Sequence, residues 1–164
     1  MKKVLFAGAI SILTWVGASG LASAKVPTAK ITVTGGQLTT TLEVMDPRAL
    51  DFKVGPWGGG FLDMSKGIAN PPPARERYEV SFYNRVPNGL RKFYVVYFCP
   101  GHGNQQGYVY TPGKGEKWYS LNVSTIIRGG QFEGKWRYAS REWEALIKTF
   151  IASEEAAQRR GPGI

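Results

Sequence analysis

The sequence predicts an α+β domain: an antiparallel sheet of about five to seven strands with one C-terminal helix packed on one face. Three observations carry this expectation. Residues 77–99 hold two runs rich in Val, Phe and Tyr on either side of Pro87-Asn88-Gly89, a strong hairpin signal. Further short apolar runs recur between Gly- and Pro-rich turns. Near the C-terminus, Trp143, Leu146, Ile147, Phe150 and Ile151 fall at i, i+3, i+4, i+7 and i+8, a single helical stripe.

In chain order, Met1-Lys2-Lys3, an apolar run from Val4 to about Val16 and the small residues Ala22-Ser23-Ala24 read as a secretory signal peptide cleaved near Ala24. The apolar run is shorter than the roughly 20 residues a spanning helix needs, and no later stretch predicts a transmembrane segment. Residues 25–164 then form a single exported domain, periplasmic or secreted. Without Lys2 and Lys3 the net charge falls from +9 to +7. A basic surface favours anionic partners such as wall polymers, headgroups or acidic glycans, without choosing among them. Cys99 is the only cysteine, so no intrachain disulfide is possible.

Ile31-Thr32-Val33-Thr34 predicts a strand, Gly35-Gly36 a turn, and residues 38–44 the hairpin partner. Asp46-Pro47 reads as a helix start with Asp as the cap, followed by one or two turns. Residues 54–61 form a loop that drops Trp57 and Phe61 onto the sheet edge; its three glycines lack the Lys-Ser or Lys-Thr that a phosphate loop needs. This opening, ITVTGGQL followed by DPRAL and a Trp in a Gly-rich loop, resembles uncharacterised exported bacterial proteins over about the first third of the mature chain. The resemblance implies no activity.

Asn70-Pro71-Pro72-Pro73 is an extended connector into the central hairpin. In that hairpin a four-residue loop pairs Val86 with Arg91; a two-residue loop asks Pro87 for an N–H it lacks. The pairing puts Tyr78, Val80, Phe82, Val86, Phe93, Val95, Tyr97 and Cys99 on the apolar face, and Glu79, Ser81, Tyr83, Arg85, Lys92 and Tyr94 on the other, with Val96 and Phe98 towards its base. Tyr108-Val109-Tyr110 predicts a third strand of the meander, residues 118–123 a fourth running into Thr125-Ile126-Ile127, and residues 135–138 a short last one. Asn122-Val123-Ser124 is formally a glycosylation sequon. Ser140 caps a helix over about 141–158, with Glu144 and Lys148 paired at i, i+4 on its polar side. Residues 160–164 read as a loose tail.

Cys99 and the single His102 stand three residues apart at a strand end. They could serve a small hydrolase or thiol enzyme as thiolate and imidazole, but Cys99 on the apolar face acts as a small hydrophobe. Metal binding lacks a third ligand, and no cofactor signature occurs. Asp46, Asp51, Asp63, Glu79 and Glu116 could supply a glycosidase pair, yet no spacing singles two of them out. Aromatic content, with five Trp, eight Tyr and eight Phe, is the less ordinary feature. Tyr83 and Tyr94 beside Arg85 and Lys92, with Tyr108 and Tyr110 on the next strand and Trp57 in its loop, outline a basic aromatic platform. It suits an anionic envelope polymer, a glycan or a protein partner, and the function expected is non-catalytic binding. Nucleic acid is disfavoured because the chain is read as exported and lacks the paired aromatic motif of RNA-binding sheets.

Overall fold

The computed structural model describes residues 27–51, 60–70, 76–125 and 132–160. Among these, β1 (Thr28–Gly35), β2 (Leu42–Val44), β3 (Tyr78–Val86), β4 (Gly89–Cys99), β5 (Tyr108–Thr111) and β6 (Lys135–Tyr138) form one antiparallel sheet ordered β2-β1-β3-β4-β5-β6. Three helices accompany it: α1 (Pro47–Leu50), α2 (Tyr119–Thr125) and α3 (Arg141–Arg160). The predicted class holds, a mixed α+β fold with six strands and a C-terminal helix. The predicted leader, Trp57, the prolines 71–73, Ile126-Ile127 and the tail beyond Arg160 lie outside the described residues.

The apolar stripe of α3 does what its spacing predicts. Trp143, Ile147 and Ile151 are buried, with Leu146 and Phe150 packed beside them. Ser140 Oγ accepts the Trp143 N–H at 3.2 Å, which caps the first turn. The Trp143 ring meets Phe98 edge-on at 5.0 Å, and Phe61 fills the space between Trp143, Phe82 and Tyr94. Phe61 is therefore a core residue and not an edge cover. At its far end α3 reaches the turn after β1, where Gln158 accepts from Thr39 N and Oγ1 and Glu155 accepts from the Tyr78 hydroxyl. That turn needs glycine. Gly36 sits at φ +59°, and a Cβ there would stand 2.3 Å from the Tyr78 ring.

The central hairpin departs from the expected register in two places. Val86 pairs with Gly89, so the loop is the tight one. Pro87 suits the first central position of a type I turn, where no ladder N–H is asked of it, and Gly89 supplies a positive φ of +122°. Further along, Tyr83 pairs with Lys92 but Phe82 pairs with Tyr94, so Phe93 is an extra residue on β4. Such a bulge reverses every later side chain. Tyr94, Val96 and Phe98 thus join Tyr78, Val80 and Phe82 under α3, while Val95, Tyr97 and Cys99 turn to the opposite face. The expected set is correct for β3 and inverted for β4 beyond the bulge.

Residues 119–125 are helical, which corrects the predicted fourth strand. The reason is tertiary. Among the described residues β5 pairs with Tyr97–Cys99 of β4, and it stops short of the β4 edge that precedes Tyr97. Asn122 on α2 completes that edge: its Oδ1 accepts Val95 N–H at 2.9 Å and its Nδ2 donates to Val95 O at 2.7 Å. Thr125 Oγ1 adds a donation to Phe93 O at 2.7 Å. A carboxamide carries the same donor–acceptor pair as a strand residue, so one side chain substitutes for a ladder rung. Asn122 is fully buried in this role, which removes the sequon reading.

Candidate ligand-binding site

Side chains on the sheet face away from α3 follow from the same register. One transverse row crosses five strands: Thr34, Glu79, Tyr97, Tyr110 and Trp136 are successive cross-strand partners. At about 4.8 Å per strand the row is about 19 Å long. Its middle forms a pocket of about 450 Å³ lined by Thr34, Gly35, Arg77, Glu79, Tyr97, Tyr110, Glu116 and Trp136. The floor is aromatic. Tyr97 and Tyr110 stack with centroids 6.5 Å apart, and Tyr110 meets Trp136 at 5.1 Å. Neighbouring rows add Tyr108 against Tyr138 at 5.3 Å, and Tyr83 between the ammonium groups of Lys30 and Lys92 at 5.3 and 5.7 Å.

Polar groups stand around that floor. Arg77 precedes β3 and lays its guanidinium over Trp136, 5.1 Å from the ring centroid. Glu116, in the turn before α2, accepts the Tyr110 hydroxyl at 3.0 Å and Gly113 N–H at 2.7 Å. Glu79 accepts from Trp118 Nε1 at 2.9 Å and faces Lys92 and Lys117 at 3.7 and 3.6 Å. Trp118 holds φ +74°, an outlier for a bulky side chain. Its place is set by the bond to Glu79 and by Lys92 and Lys117, 4.2 and 4.5 Å from its ring. Burial, then the Glu79 and Glu116 charges, raise the Tyr97 pKa; burial, then the Glu116 hydrogen bond, raise that of Tyr110. Both phenols stay protonated donors at neutral pH.

The structure brings together some of the sequence candidates and separates others. Tyr83, Lys92, Tyr108 and Tyr110 share this face, and Arg85 lies exposed towards the hairpin tip. Tyr94 does not belong to it: the bulge at Phe93 turns the ring into the core, where it is 2% exposed against Phe61 and Phe82. Cys99 is fully buried beside Ala69 and Trp136, so it presents no solvent-accessible thiol, whereas His102 is exposed in the following loop. Among the described residues no group of three or more His, Cys, Asp or Glu could hold a metal ion, and no helix is long and apolar enough to cross a membrane.

Sequence reasoning passed over Arg77, Tyr97, Trp118 and Trp136, and took Glu79 and Glu116 only as isolated acids. The alternation Tyr108/Tyr110 and Trp136/Tyr138 is legible by itself. Its alignment with Tyr97 depends on the bulge. A second, wider cleft of about 810 Å³ lies between residues 103–106 and α3. Its carboxylate, Glu144, is committed to structure: Oε1 and Oε2 accept Gly101 and Gly107 N–H at 2.8 and 2.7 Å. The helical pattern sets Glu144 on the polar side of α3, but these two amides draw it to 6% exposure. Comparison with protein-family models, with curated proteins and with solved structures finds no match.

Proposed function

We propose that this chain is an exported, non-catalytic domain that holds a glycan on the sheet face opposite α3. The observation that carries the reading is the pocket itself: an aromatic floor of Tyr97, Tyr110 and Trp136 with Arg77, Glu79 and Glu116 at its rim. A sugar ring has an apolar face and an equatorial belt of hydroxyls. It asks a site for a ring to lie on and for planar polar groups beside it, which is the combination present. Both carboxylates are already fixed by neighbouring donors, so their free lone pairs are oriented before a ligand arrives. Fixed acceptors suit recognition. The thiol-enzyme alternative at Cys99 and His102 gains no support from a cysteine so deeply buried.

Retention on immobilised chitin, cellulose and galactan tests the reading. Binding to at least one of these neutral polymers is expected, and it should survive about 1 M salt, where surface charges are screened within about 3 Å. Tyr110→Ala should remove it. Failure of the folded protein to bind any glycan polymer, neutral or acidic, would overturn the proposal.

A further inference from the structure

Resting on that reading, we infer that the preferred ligand is a carboxylate-bearing glycan, a chain of uronic or other acidic sugars, and that Arg77 is the residue that selects it. Three charged groups line the pocket, and their circumstances differ. Glu79 is neutralised by Lys92 and Lys117 and holds the Trp118 indole. Glu116 is held by the Tyr110 hydroxyl and the Gly113 amide. Arg77 alone of the three makes no hydrogen bond or ion pair through its side chain among the described residues; it rests over Trp136 and is exposed.

A guanidinium over an aromatic ring keeps its in-plane N–H groups available, and these form a rigid fork that matches a carboxylate. Contact with Trp136 limits the places that fork can occupy. It therefore stands beside the floor on which a sugar ring would rest, where a carboxyl substituent at the ring edge can meet it. Counting only the paired groups, Lys92 and Lys117 against Glu79 leave the rim without net negative charge at that end, so an acidic sugar is not repelled there. Glu116, bonded to the Tyr110 hydroxyl and the Gly113 amide, keeps further lone pairs to accept sugar hydroxyls.

The test compares a galacturonic acid oligomer with its carboxyl-reduced, uncharged counterpart and with a sulfated galactan oligomer of the same length, by calorimetry on the folded chain. The acid oligomer should bind about tenfold tighter than the reduced one, the scale of one charge-assisted pair. Arg77→Gln should lower binding of the acid oligomer far more than that of the reduced one. Arg77→Lys, which keeps the charge but not the fork, should lose most of the preference too. Equal binding of acid and reduced oligomers would overturn the inference and leave glycan binding standing. So would a preference that Arg77→Gln does not reduce, or a sulfated oligomer that matches the acid one. Binding of none of the three would overturn this inference, and the glycan reading would fall with it where chitin, cellulose and galactan do not retain the protein either.

Discussion

On one side of the sheet Val33, Val80 and Val96 form a transverse row that α3 covers; one residue further along the strands, Thr34, Glu79, Tyr97, Tyr110 and Trp136 form a row that no described helix covers. Both faces are rich in rings, yet the rings have different company. Under α3, Phe61, Phe82, Tyr94, Phe98 and Trp143 touch one another at tilted or edge-on angles, the arrangement of packed aromatic cores. Across the sheet, Tyr110 and Trp136 stand among a guanidinium and carboxylates. Similar residue types thus stabilise the fold on one face and offer a surface on the other. What separates the roles is whether polar groups surround the ring or are excluded from it.

The largest way to break this comparison is Trp143→Ala. A fully buried indole against Phe61 and Phe98 should cost about 3–5 kcal/mol in denaturant unfolding, because its cavity cannot be refilled. A loss under about 1 kcal/mol would mean that α3 does not seal the core. Next comes the edge of β4. Asn122→Ala removes both bonds to Val95 and should cost about 2 kcal/mol. Hydrogen exchange at the Val95 amide should accelerate with it. Asn122→Asp should be no better, since a carboxylate oxygen would then face Val95 O.

Smaller still should be the stability cost of Tyr110→Ala, about 1 kcal/mol, although the same change should abolish the proposed glycan retention. A substitution expensive in stability at this position would place Tyr110 in the core after all. Alkaline titration then sharpens the contrast. Burial holds the Tyr78 and Tyr94 phenols well above the ordinary tyrosine value, with the Glu155 hydrogen bond assisting at Tyr78. A raised folded pKa means the folded state keeps its proton longer. Stability is therefore fully present below the unfolded value near 10 and is lost as pH rises beyond it. Unfolding midpoints should be flat to about pH 9 and fall above 10. Tyr78→Phe should relieve more of that fall than Tyr97→Phe does on the open face.

Much of this was legible from the residues alone. The α3 stripe, the Asp46-Pro47 helix start, the central hairpin and the strands at β5 and β6 follow from local periodicity and turn chemistry, because each signal is completed within a few residues of itself. Tyr83 with Lys92, and Tyr108 with Tyr110, fall on the sheet face away from α3 for the same reason. Other features answer to distant partners. The run Phe93-Tyr94-Val95-Val96-Tyr97-Phe98 is apolar on both faces, so a period-two pattern has no contrast with which to reveal the bulge, and Tyr94 exchanges places with Tyr97. Residues 119–125 alternate like a strand, but the unpaired rung at Val95, some 27 positions away in sequence, is what Asn122 turns inward to fill. Glu144 looks like a solvent-facing helix acid until the Gly101 and Gly107 amides are folded against it. Sequence by itself determined the elements whose driving contacts are local; the tertiary structure decided register, edges and buried polar partners, because a hydrogen bond across the fold leaves no periodic trace in the chain.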